Sequence, residues 1–174
     1  RSAALGLVPA GTPYTTMRTS ARWASLEPKA QRYQAREMEI YAAMADAMDH
    51  QVGRLVAHLQ AIGEYERTVF VFLSDNGPEG SDYADAQPWL FTQYTQDIGR
   101  LGGKGAYGIP GPGWASASAA PLDTYKFYAG EGAIRVPLIV AGVAGSHANQ
   151  IQPTLTHVND IVPTLLELAG VRHP

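Results

Sequence analysis

The chain of 174 residues carries 13 basic and 16 acidic side chains, a formal charge of -3 and 45% hydrophobic content, which suits a packed globular core and excludes disorder as the main state. Its charges form no basic stripe, so nucleic acid is not an expected partner. The absence of cysteine excludes a disulfide framework, a thiolate metal site and a cysteine nucleophile within these residues.

No apolar run approaches the roughly 20 residues that a bilayer-spanning helix needs, so no membrane partner is expected. Residues 1–28 hold Pro9, Gly11, Pro13 and Pro28 among small and polar residues and are expected to be a loop-rich lead-in. Residues 29–63 are expected to form a long amphipathic helix. In it Met44, Met48, Val52, Leu55, Leu59 and Ile62 recur at helical spacing between charged positions such as Arg36, Glu37, Asp46 and His50. Gly63 stands where a left-handed C-cap glycine is common. The apolar face of this helix is expected to cover one face of a sheet.

Residues 68–80 open with Thr68-Val69-Phe70-Val71-Phe72-Leu73, an apolar run without alternation, and break into Ser74-Asp75-Asn76-Gly77-Pro78-Glu79-Gly80. The pattern predicts a strand covered on both faces, as in a parallel α/β sheet, delivering polar groups at its carboxyl end where ligands collect. Residues 81–124 show no sustained period and are expected to be a long functional loop or lid. Trp89, Tyr94, Tyr107 and Trp114 are read there as loop anchors before pocket walls. Gly99 to Gly105 around Lys104 lacks the preceding strand and the hydroxyl residue of a phosphate loop and is set aside. In residues 125–174, Arg135 to Gly142 read as a second strand with Pro137 near its start. A short helix follows from Ile161 to Ala169, with Asp160 as cap and Gly170 beyond its end. The fold class is α/β.

Asp75 and Asn76 offer a carboxylate and an amide oxygen side by side, hard ligands suited to calcium or magnesium. Asp-Asn-Gly-Pro is also an ordinary turn sequence, and taken alone that is the better reading. A second segment changes the balance: Tyr125-Lys126-Phe127-Tyr128-Ala129-Gly130-Glu131-Gly132-Ala133-Ile134-Arg135, leading into the second strand. Together these two segments resemble the C-terminal part of the catalytic domain of the formylglycine-dependent sulfatase (arylsulfatase) family, within the alkaline-phosphatase-like superfamily. The helix before Gly63 and the closing run His157 to Gly170 are also similar to that family.

The resemblance implies an alkaline-phosphatase-like fold and hydrolysis of sulfate monoesters, aryl sulfates first among them, with a small-molecule sulfate ester as partner. It assigns Asp75 and Asn76 to a divalent metal, calcium first and magnesium second. Lys126, five residues before Glu131, is assigned to the catalytic site as a sulfate-binding group. Residues 1–174 are then a portion of one sulfatase catalytic domain, with Arg1 and His173-Pro174 expected to be interior to a longer chain. The formylglycine nucleophile is expected in an N-terminal portion of the same domain. No cysteine is present, and no serine is followed by proline and arginine at the family's spacing. The chain alone is accordingly expected to be inactive. Two alternatives remain: a phosphodiesterase or phosphonate monoester hydrolase of the same superfamily, and a non-catalytic binding protein that retains the fold.

Among other polar residues, His157 reads as a structural residue at a helix start, and His50 and His58 as solvent-facing. Glu131 and Arg135 read as an ion pair fixing the entry to the second strand, and Glu79 is ambiguous. Ala133 replaces a second glycine in the family pattern, so a positive φ there would strain it. Localisation, periplasmic, secreted or cytoplasmic, is not encoded in these residues.

Overall fold

A computed structural model describes residues 3, 4, 6, 8–14, 17–81, 87–143, 150–152 and 154–172. The expectation about Arg1 and His173-Pro174 concerns residues outside that set. After a single 3-10 turn at Trp23–Ser25, helix α1 runs from Pro28 to Ala61, 34 residues with proline at its first position. There the missing proline N–H would be unbonded in any case. The helix closes as the sequence predicts. Gly63 adopts φ +74°, Glu64 N donates to Leu59 O at 2.9 Å and Gly63 N to Gln60 O at 3.2 Å. These two bonds satisfy carbonyls that the helix end would otherwise leave unpaired.

α1 engages the rest of the chain through its first turns. Tyr33 Oη donates to Gln96 Oε1 at 2.6 Å, and Arg36 Nη2 to Leu101 O at 3.3 Å. Ile109 N donates to Glu37 Oε1 at 2.9 Å, and Trp114 Nε1 to Gln34 O at 2.8 Å. Its partner is therefore the segment 96–114. The stripe Met44, Met48, Val52, Leu55 and Ile62, expected to cover a sheet, is exposed instead, with Met44 at 61%.

Strand β1 (Phe70–Leu73) pairs with β2 (Leu138–Ala141), Phe70 opposite Ala141 and Leu73 opposite Leu138. Both strands fall where the sequence places them, but the pairing is antiparallel in a two-stranded sheet. All four β2 residues are exposed, and Phe72 is 46% exposed. The expectation of a sheet buried on both faces therefore fails for the described residues. Apolar strand faces are buried only by an opposing layer, and the long helix that was to supply one is engaged elsewhere.

The stretch 81–124, of which 82–86 lie outside the described residues, holds two helices that the sequence pattern missed, α2 (Trp89–Gln93) and α3 (Gly111–Ala119). In α3 the run Ala-Ser-Ala-Ser-Ala has no apolar stripe to betray a helical period. Those small side chains instead allow close approach: Ala115, Ser116 and Ala119 are buried, and α3 packs against the short helix α4 (Glu131–Ile134). Among the described residues, Leu90, Leu101, Ala115, Ala119, Tyr125 and Ala133 make up the buried apolar core. Helix α5 (Ile161–Leu168) follows a 3-10 turn at Val158–Asp160. Asp160 Oδ2 accepts from His157 N at 2.7 Å and His157 Nδ1 accepts from Asn159 N at 3.2 Å. This reciprocal cap gives His157 the structural role expected of it.

Candidate active site

β1 ends at Leu73, and the next residues turn back on themselves. Ser74 Oγ donates to Asn76 O at 2.8 Å, and Asn76 Nδ2 to Gly77 O at 2.9 Å. Asp75 is exposed. Among the described residues no hydrogen bond or ion pair engages its carboxylate. Asn76 is half-buried with its amide oxygen left as an acceptor. The pair thus presents two oxygen donors of the hard type that calcium and magnesium prefer. No group of three or more His, Asp or Glu side chains able to hold a metal occurs among the described residues. Two oxygens suit part of a coordination shell of about six to eight, and the other ligands must come from elsewhere.

The turn is fastened to the lysine segment by backbone. Gly77 N donates to Ala133 O at 2.7 Å and Lys126 N to Pro78 O at 3.0 Å. The approach is so close that a Cβ on Gly77 would overlap the carbonyl oxygen of Gly132 and lie 2.9 Å from Ala133 Cα. A Cβ on Gly80 would enter the ring of Tyr125. Glycine at these two positions is what lets the segments touch. The structure therefore brings the Asp75–Asn76 turn and the Lys126 segment together across a gap of fifty residues in sequence.

Lys126 sits between two residues held at positive φ, Thr124 at +69° and Phe127 at +76°. Such backbone is unfavourable for residues with side chains and persists only where its surroundings impose it. Tyr125 supplies part of that frame: it is buried, stacks edge-on against Tyr128 at 5.3 Å, and shares a 2.6 Å hydrogen bond between its hydroxyl and that of Thr19. Gly132 N donates to Asp123 O at 2.6 Å and closes the loop.

The Lys126 ammonium stands 3.1 Å from Glu79 Oε2 and 5.1 Å from the centroid of the Phe127 ring. Burial raises the Glu79 pKa, but hydrogen bonds from Ser81 and the nearby Lys126 outweigh it and leave the carboxyl below its ordinary value. From sequence Glu79 is ambiguous, because its partner is distant in the chain and no local spacing announces the pair. Its position within the glycine-flanked turn after Asn76 was the one available hint.

Ala133 lies inside α4, buried and free of positive φ, so the strain that alanine would have brought does not arise. Arg135 Nη1 and Glu131 Oε2 approach to 3.6 Å, the ion pair read from the sequence. Of the loop aromatics, Trp114 and Trp23 line an open hollow of about 680 Å³ beside Gln34. Tyr94 and Tyr107 pair at 5.8 Å. The bond to Gln34 O and the contact with Trp23 give Trp114 the anchoring role, whereas Tyr94 and Tyr107 meet each other within the loop and Trp89 is 50% exposed.

The family profile named Sulfatase matches residues 11–171. An arylsulfatase of Klebsiella aerogenes is 34% identical over 174 residues, covering 98% of this chain and 38% of that protein. An uncharacterised sulfatase of Schizosaccharomyces pombe is 37% identical over 178 residues, covering 98% of this chain and 32% of that protein. The chain therefore spans only about a third of the length of the relatives it matches. With the profile extending over nearly all of its residues and both segments of the site within the match, the chain belongs to the sulfatase family.

Proposed function

We propose that these residues form the C-terminal part of the catalytic domain of a sulfuric ester hydrolase of arylsulfatase type, in an alkaline-phosphatase-like fold. The observation that carries the reading is the fastening of the Lys126 segment to the Asp75–Asn76 turn by the Gly77 to Ala133 and Lys126 to Pro78 hydrogen bonds. A cation and two hard oxygen donors thus stand on adjoining loops, which supports a reading in which the site binds an anionic oxyester.

Asp75 and Asn76 would contribute two ligands to a calcium or magnesium ion, which when bound supplies Lewis-acid polarisation of a sulfate oxygen. The Lys126 ammonium, a compact charge with three donors, holds a second sulfate oxygen. It also offsets the negative charge that grows on the bridging oxygen as the S–O bond breaks. The nucleophile, a formylglycine in the family resembled, would come from a portion of the domain outside these residues.

The exposed apolar residues of β2, of α1 beyond Met44 and of α5 support the same view of the domain. Further strands and helices of the same domain would bury them, and the chain's share of its relatives' length leaves room for those elements.

The test is turnover of nitrophenyl sulfate against nitrophenyl phosphate esters by the complete protein and its Lys126→Ala variant. Preference for the sulfate ester, lowered by about 100-fold or more on removal of the charge-stabilising donor, is expected. Faster phosphodiester turnover would assign the protein to the phosphoesterases of the superfamily. Absence of any esterase activity would favour a binding protein that keeps the fold.

A further inference from the structure

Three of the ion pairs among the described residues join neighbours on one turn: Arg36 to Glu39, Arg67 to Glu64 and Arg135 to Glu131, with side chains 42% to 78% exposed. The fourth is of another kind. Lys126 and Glu79 lie on different segments, with side chains 34% and 27% exposed, and both segments are tied by backbone. Glu79 Oε1 accepts from Ser81 N at 2.8 Å, which sets the carboxylate plane, and Oε2 is closed off from solvent. Lys126 is held at its own amide by Pro78 O and, through Phe127, by an unusual backbone conformation.

We propose that Glu79 is a positioning residue for Lys126, one that fixes the direction of the ammonium, on the segment fastened to the Asp75–Asn76 turn, before the substrate arrives. The inference rests on the reading of Lys126 as the group that meets the sulfate. A lysine's four-carbon stem is flexible, and ordering it at the moment of binding opposes reaction. A carboxylate anchored by its own hydrogen bond removes most of that freedom beforehand, so the ammonium is already oriented when charge develops on the substrate. The same carboxylate repels an anion in the ground state. Glu79 therefore weakens initial binding while it fixes orientation, and its loss should show in kcat and not as a raised KM. A surface ion pair of merely structural value would show neither asymmetry.

The experiment is a double-mutant cycle in the complete protein with nitrophenyl sulfate as substrate, comparing E79A, K126A and E79A/K126A with the parent. E79A is expected to lower kcat about 10- to 100-fold, the range for an outer partner that orients a site residue. KM and inhibition by inorganic sulfate should stay the same or tighten. The double variant should be no slower than K126A, because Glu79 has nothing left to position, and E79D should recover part of the loss. If E79A does not fold, E79Q retains the shape and the Ser81 contact and enters the same cycle in its place. Additive losses, or an unchanged kcat in the Glu79 variants while K126A is slow, would overturn the positioning role alone. Unimpaired turnover in K126A would instead remove the sulfate-binding reading together with the inference built on it.

Discussion

Glu37 offers a stability prediction whose sign depends on pH. It lies in α1 and accepts the Ile109 amide at 2.9 Å, so it ties the helix to the far loop. Burial pushes its carboxyl up to about 7 from 4.5, and the Ile109 hydrogen bond only partly opposes the rise. Tyr33 one turn earlier is raised too, first by burial and then by the Glu37 charge. A carboxyl whose folded pKa exceeds its unfolded one keeps an extra proton in the folded state between those values. The contribution of this group is then fully present below about pH 4.5 and is lost as pH rises toward 7, beyond which the whole penalty of the buried charge is felt. At roughly 1.36 kcal/mol per pH unit the penalty is at most about 3.4 kcal/mol. The side chain is only half-buried, and solvent screening reduces this to about 1–2 kcal/mol.

Glu37→Gln keeps an acceptor for Ile109 and cannot ionise. Melting followed at pH 5 and pH 8 should show almost no difference from the parent at the lower pH. At the higher pH it should show a gain of a few degrees, at about 2–4 °C per kcal/mol for a domain of this size. An equal effect at both pH values, or a loss at pH 8, would refute the argument from charge burial.

Gly77→Ala sets a side chain against backbone that cannot yield, the Gly132 carbonyl and Ala133 Cα. Relief requires the two loops to part and lose the 2.7 Å bond to Ala133 O. The expected destabilisation is about 2–4 kcal/mol from overpacking and lost hydrogen bonding, read by urea unfolding; a midpoint equal to the parent's would contradict the close approach. Asp75→Ala removes an exposed carboxylate that no described residue engages. The fold should tolerate it within about 0.5 kcal/mol, while calcium retention and sulfate ester turnover in the complete protein collapse. Normal metal content in that variant would take Asp75 out of the site.

What the sequence alone determined is everything written in local chemistry. The amphipathic period and Gly63 defined α1 to within two residues at each end, because a helix repeat and its C-cap are set by side chains a few positions apart. The apolar run before Asp75 and the one after Pro137 located both strands, and Asp160 and Gly170 framed α5, although the Asp160 side chain caps the preceding 3-10 turn at His157 N and not α5 itself. The spacing of Lys126 from Glu131, with the Asp75–Asn76 turn, was enough to identify the family that the wider comparison supports. Tertiary structure decided what depends on distant partners. Whether β1 met a parallel or an antiparallel neighbour, which loop α1 would hold, and how much of each apolar face found a covering layer could not be read from periodicity, which reports a face and not its occupant. α3 escaped notice because alanine and serine carry a helix without an apolar stripe. The pairing of Glu79 with Lys126 exists only because Gly77 and Gly80 let two remote loops come into contact.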